Sequence, residues 1–146
     1  MTDQNFDNLK LENQLCFPLY AASKEIVKRY RPFLDDLNLT YTQYITLMAL
    51  WEHKRLNVKE LGEKLYLDSG TLTPVLKSLE AKGFVRRERS SRDERVLNVE
   101  LTEEGRALRE RARSIPDMVF DSIKLSTEES KTLYGLLYKL LDGMEG

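Results

Sequence analysis

Tyr66-Leu67-Asp68-Ser69-Gly70-Thr71-Leu72-Thr73-Pro74 is a polar turn that runs directly into a helix start. From Leu72 the apolar residues Val75, Leu76 and Leu79 recur at helical spacings, and the stripe stops at Gly83, a residue suited to a left-handed C-cap. Asp68 and Ser69 are both good N-cap residues. Upstream, Asn57-Val58-Lys59-Glu60 has the form of a capping box and opens a short helix carrying Val58, Leu61 and Leu65. Downstream the period changes. Phe84 to Arg89 and Arg95 to Leu101 alternate in part, most clearly at Leu97, Val99 and Leu101, on either side of Ser90-Ser91-Arg92-Asp93-Glu94. Two short helices joined by a tight turn and followed by a charged hairpin predict a winged helix-turn-helix, mainly α with a small β-hairpin.

The flanks are helical. From Asn13 to Leu34, Leu15, Leu19, Ala22, Ile26, Tyr30 and Phe33 recur at spacings of three and four, which predicts one long amphipathic helix with Asn13 as its N-cap. Thr40-Tyr41-Thr42-Gln43 is a second capping box, and Tyr44, Leu47, Met48 and Trp51 form the expected buried face behind it. Thr102-Glu103-Glu104-Gly105 starts a helix expected to end near Pro116. Ser126-Thr127-Glu128-Glu129 caps a last helix carrying Leu133, Leu136, Leu137, Leu140 and Leu141. No repeat or linker divides the chain, so 1–146 reads as a single domain. On the hairpin and resemblance described below, its DNA-binding part is expected over about 40–101, with dimerisation helices over about 10–36 and 103–146.

The 146 residues are 41% hydrophobic and 32% charged, the composition of one soluble folding unit rather than a disordered chain. No apolar run is long enough to span a membrane, and the N-terminus has neither the charge nor the apolar run of a signal peptide, so a cytoplasmic protein is expected. One cysteine excludes an intrachain disulfide and a multi-cysteine metal site, and His53, the sole histidine, has no companion ligands. No metal and no cofactor are expected. The net charge is -1, so affinity for nucleic acid has to come from local clustering.

That clustering sits in the hairpin, where Arg86, Arg87, Arg89, Arg92 and Arg95 outnumber Glu88, Asp93 and Glu94. A thin arginine tip can enter a minor groove, with Arg95 the preferred reader and Asp93 placed to pair with one arginine and hold the tip in shape. An arginine run alone is as consistent with a solvated surface; the helix-turn-helix context favours DNA. On the preceding helix the inward stripe leaves Ser69, Gly70, Thr71, Thr73, Pro74 and Lys77 near the outer surface at its N-terminal end. These residues let a helix sink toward base edges, and its free amides favour phosphate. Double-stranded operator DNA is therefore the expected partner.

Cys16 lies in the first turn after Asn13, where backbone amides favour an anion. Taken alone, a single cysteine on an apolar helix reads more readily as a small buried hydrophobe. Tyr20 lies four residues on, on the same face. Tyr30 lies near that face by angle, but fourteen residues put it roughly 21 Å along the axis. It reaches Cys16 only if two copies of the helix pack antiparallel, with Tyr41 completing the pocket and Phe17 and nearby leucines as its walls. A thiol peroxidase would also have an activated cysteine, yet the basic hairpin would then be unexplained.

The order of elements and Asp93-Glu94-Arg95 in the wing resemble the MarR family of regulators. Leu11-Glu12-Asn13-Gln14-Leu15-Cys16-Phe17 and Tyr66 to Pro74 are similar to its organic-hydroperoxide-resistance repressors. The resemblance implies a homodimer that binds its operator when reduced and leaves it when the cysteine is oxidised. It implies Cys16 as the redox-sensing residue and Tyr20, Tyr30 and Tyr41 as hydrogen-bond donors to its thiolate. Arg87, Arg92, Asp93 and Arg95 join the helix residues above as the DNA-binding set. The redox reactants it implies are an organic hydroperoxide and a low-molecular-weight thiol. Some members carry a second, resolving cysteine, which this chain lacks. A MarR-type repressor released by a small phenolic ligand is the alternative within the class.

Overall fold

The structure, a computed structural model, describes residues 3–144. They fall into two compact units, the first running through Ile115 and the second starting at Pro116. In the first unit, two 3-10 turns (Asp3–Leu9 and Leu11–Asn13) precede α1 (Cys16–Asp35) and α2 (Tyr41–His53). Then come β1 (Arg55–Asn57), α3 (Val58–Leu65), α4 (Ser69–Ala81), β2 (Val85–Arg89), β3 (Leu97–Leu101) and α5 (Glu103–Ala112).

Helix α2 is the centre of this unit, in contact with α1, α3, α4, α5 and the sheet. Tyr44, Leu47 and Leu50 of α2 are buried, as are Leu61, Leu72, Leu76, Leu79, Val85 and Val99 from the elements around it. Because neighbours surround it, α2 buries Gln43, Thr46 and Ala49 as well, so the one-sided stripe expected for it is too narrow. Met48, expected inside, is 41% exposed.

The predicted hairpin is part of a three-stranded antiparallel sheet in the order β1-β3-β2. Val85 pairs with Leu101 and Arg89 with Leu97, which leaves Arg95 in the connecting turn rather than in the strand. No sequence pattern predicts strand β1, whose three residues pair with β3 through Leu56 and Val99. Gly83 adopts φ +85. Its N–H donates to Glu80 and that of Phe84 to Leu79, the double bond of a Schellman cap, so the helix stop is as expected.

Two helix boundaries differ. Asn13 does not cap α1; its Nδ2 donates to the Asp7 carbonyl at 2.7 Å, and Leu15 occupies the cap position without a side-chain bond. Asn13 closes the second 3-10 turn, two residues before the cap position, so its side chain lies outside the reach of a cap, and Cys16 is the first residue of the helix. The helix from Thr102 stops at Ala112, and α6 (Ile115–Asp121) begins just beyond, with Pro116 in its first turn, where a missing N–H costs least. The start of α5 requires glycine: a Cβ on Gly105 would lie 2.0 Å from the Phe84 carbonyl oxygen. Trp51 Nε1 also donates to the Gly105 carbonyl at 2.9 Å.

In the second unit, α7 (Thr127–Asp142) opens on the predicted capping box, with Glu129 N–H donating to Ser126 Oγ and Ser126 N–H to the Glu129 carboxylate. None of its residues is buried. Leu133, Tyr134, Leu136, Tyr138 and Leu140 all stand exposed. Among the described residues, no helix is long and apolar enough to cross a membrane.

Candidate functional site

Asp68 is the cap of α4, its Oδ1 accepting from the Thr71 N–H at 2.7 Å, which makes Ser69 the first helical residue. Buried Leu72, Leu76 and Leu79 anchor the inner face. Ser69, Gly70, Thr71, Pro74 and Lys77 are exposed, and Thr73 partly so. A Cβ on Gly70 would touch only Asp68 Oδ1, at 3.5 Å, so its smallness keeps the outer surface low rather than relieving a clash. Thr73 Oγ1 donates to the Ser69 carbonyl at 2.7 Å, whereas Pro74 has no N–H to offer the Gly70 carbonyl.

The bond from the Thr71 backbone, supported by its side chain, holds the Asp68 carboxyl below its ordinary value of 3.8. A carboxyl whose folded-state value is depressed stabilises the fold above its unfolded value and loses that contribution as pH falls through the folded one. Asp68→Ala is therefore expected to melt earlier than the native chain at neutral pH, with the gap closing well below pH 3.8. Paired thermal melts at the two pH values check this.

At the wing tip the predicted Asp93 pairing is with Arg95. Arg95 Nε and Nη2 donate to the two Asp93 carboxylate oxygens at 3.1 and 3.2 Å, and the Arg95 N–H donates to Oδ1 at 3.0 Å. These bonds hold the Asp93 carboxyl below its usual range, the side-chain bond being the larger cause. The Arg95 side chain is nonetheless 90% exposed, a charged fork held at its base and open to solvent. Arg92 is exposed, its N–H donating to Ser90 Oγ at 3.2 Å.

Arg87, expected to face DNA, is turned inward. Its Nε and Nη2 donate to Glu80 Oε1 at 3.1 and 3.0 Å and its N–H donates to Oε2, so it braces β2 against α4. The Glu80 carboxyl is lowered by these bonds. Between the start of α3, α4 and the wing lies a cleft of about 300 Å³, lined by Lys59, Thr73, Arg89 and Arg95 among others.

Cys16 is exposed at the N-terminus of α1. Tyr20, one turn on, is 59% exposed beneath the Lys24 ammonium. The walls expected around the thiol are open in the single chain, with Leu15, Phe17 and Leu19 all exposed. Tyr30 and Tyr41 are brought together instead at the far end of α1, edge to face with ring centroids 5.0 Å apart, and the Tyr44 ring lies tilted against both. Burial raises all three phenols, Tyr44 to about 12, so each stays a protonated hydrogen-bond donor at neutral pH. In the sequence Tyr44 reads only as core, and nothing in the spacing tells a packing tyrosine from a donor.

The family of transcriptional regulators described as SarA/Rot matches residues 24–111. The organic hydroperoxide resistance transcriptional regulator of Bacillus subtilis (strain 168) is 53% identical over 140 residues, 96% of this chain and 95% of that protein. The chain belongs to the organic-hydroperoxide-resistance regulators of the MarR family. Its MarR-type winged helix is shared with the reduced form of Staphylococcus epidermidis AbfR bound to DNA, at a TM-score of 0.79 and 34% identity over 96% of this chain and 98% of that one. Overoxidized AbfR bound to DNA superimposes at a TM-score of 0.77 with 33% identity, covering 97% and 99%.

Proposed function

We propose that the chain is a transcriptional repressor that binds operator DNA as a reduced homodimer and is released when organic hydroperoxide oxidises Cys16. The observation that carries this reading is a single cysteine, exposed in the first turn of α1, in a chain whose relatives include an organic hydroperoxide resistance regulator and a protein found on DNA in reduced and overoxidized forms. The exposed ends of α4 and the wing meet DNA, α4 in the major groove and Arg95 in the minor groove. Two reading helices address half-sites about one turn of DNA apart.

The homodimer accounts for two features at once. It covers the apolar side chains exposed on α7 and around Cys16. It also lets Tyr30 and Tyr41 of one subunit donate to the Cys16 thiolate of the other, which the distance along α1 forbids within one chain.

The thiolate attacks the terminal peroxide oxygen. The O–O bond breaks, sulfur becomes a sulfenic acid, and the peroxide leaves as an alcohol after taking up a proton. A low-molecular-weight thiol then condenses with the sulfenic acid, forming a mixed disulfide and water. The adduct displaces the tyrosines and turns the reading helices out of register. Overoxidized AbfR is found on DNA, which favours the bulky disulfide over added oxygen as the releasing event. A second equivalent of thiol attacks the disulfide and restores Cys16.

Fluorescence anisotropy of labelled operator DNA tests this directly. One equivalent of cumene hydroperoxide with a small thiol is expected to abolish binding, and excess thiol to restore it. Binding that is unchanged throughout defeats the proposal. Continued consumption of peroxide with thiol, many equivalents per chain, indicates a peroxidase instead.

A further inference from the structure

Gln43 is a buried polar side chain, 5% exposed, that serves two elements at once. Its Oε1 accepts from the Thr40 N–H at 3.0 Å, as a capping box requires, and also from Lys82 Nζ at 2.9 Å. Its Nε2 donates to Ser78 Oγ at 2.8 Å. Ser78 and Lys82 lie at the C-terminal end of α4, the end away from the DNA-facing residues. Lys82 Nζ donates further to the carbonyl of Asn38, whose left-handed backbone, φ 57, turns the chain between α1 and α2. One amide and one ammonium thus fasten the reading helix to the α1–α2 corner.

That corner carries the tyrosines. Tyr41 is the first residue of α2, two before Gln43, and its ring lies against that of Tyr30. Moving Tyr41 moves the first turn of α2 and with it the Gln43 amide. A buried amide that loses its partners carries the full cost of desolvation, so α4 follows the corner rather than letting go. Helix α4 is 13 residues, roughly 20 Å long. Pivoting it by about 10° at the tethered end carries the Ser69 end roughly 3.5 Å, more than the length of a hydrogen bond to a base.

We propose that Gln43 and Lys82 are positioning residues, which set the angle of the reading helix and transmit the state of the tyrosine cluster to it. This rests on the peroxide-released repressor described above. The test compares operator affinity before and after treatment with cumene hydroperoxide and a small thiol, in the native chain, Lys82→Met and Gln43→Glu. Lys82→Met keeps the aliphatic stem and loses the ammonium. Its reduced form is expected to bind about tenfold more weakly while its treated form changes little, so the ratio of the two affinities contracts about tenfold. Gln43→Glu keeps both acceptor bonds, with the Ser78 hydroxyl turning to donate, and should retain the native ratio.

A merely structural role weakens both forms of Lys82→Met alike. An unchanged ratio there, or a collapsed one in Gln43→Glu, overturns the inference while native release leaves the repressor intact. Absence of release in the native chain defeats the repressor reading and this inference together.

Discussion

Cys16→Ser is expected to bind operator DNA as tightly as the native chain and to stay bound when organic hydroperoxide and thiol are added. Serine is close to cysteine in size and its neutral hydroxyl can still accept hydrogen bonds from the tyrosines at the first position of α1, so the helix and the DNA-binding form should persist. It removes the chemistry, because a hydroxyl forms neither a sulfenic acid nor a mixed disulfide under these conditions. Since the chain has no other cysteine, no second thiol can substitute. The response is therefore expected to be abolished, not merely reduced. Anisotropy titrations of the native and serine proteins, with and without oxidant, give the answer. Dissociation that persists in Cys16→Ser rules out the thiol switch and points to a regulator released by a bound small molecule.

Arg95→Ala should have the second-largest effect, a loss of about 1 to 3 kcal/mol in operator binding with the fold intact. The side chain is 90% exposed and belongs to no core cluster, so its removal leaves stability nearly unchanged. Asp93 adds a control. Its carboxylate holds the base of the Arg95 fork, so Asp93→Ala frees the arginine without deleting it, and a smaller loss is expected. Equal affinity of Arg95→Ala and native protein at matched salt would remove Arg95 from the groove. A change in thermal midpoint as large as the change in affinity would place its role in the fold instead.

What was legible in the sequence was what short-range chemistry decides. Thr40 with Gln43, Asn57 with Glu60 and Ser126 with Glu129 each close a box over three residues, and all three boxes are present. Gly83 ends α4 because a left-handed residue is needed there, again a local requirement. What escaped was set by residues distant in sequence. Strand β1 is three residues long and owes its existence to β3, more than forty positions away. Arg87 reads in the sequence as one more wing arginine, because Glu80 comes beside it only in the fold. Gln43 read as half of a capping box, and only folding brings Ser78 and Lys82 to its other side. The proposed thiol site is named in the sequence only as residue types, and the chain by itself divides it, leaving Cys16 and Tyr20 open at one end of α1 and Tyr30 and Tyr41 edge to face at the other.

Helix α7 has a well-formed cap and no buried residue, and in the proposed homodimer this would make protein concentration a thermodynamic variable of the fold. A helix of 16 residues is marginal in water without a packed face. If its leucines are covered by a second subunit, ordering the C-terminal unit and associating two chains are one equilibrium, whose midpoint shifts with dilution. At low copy number part of the population would then lack an ordered α7, and occupancy of the operator would fall more steeply than the affinity of the assembled dimer predicts. The number of molecules per cell would thus act on repression beside the oxidant itself.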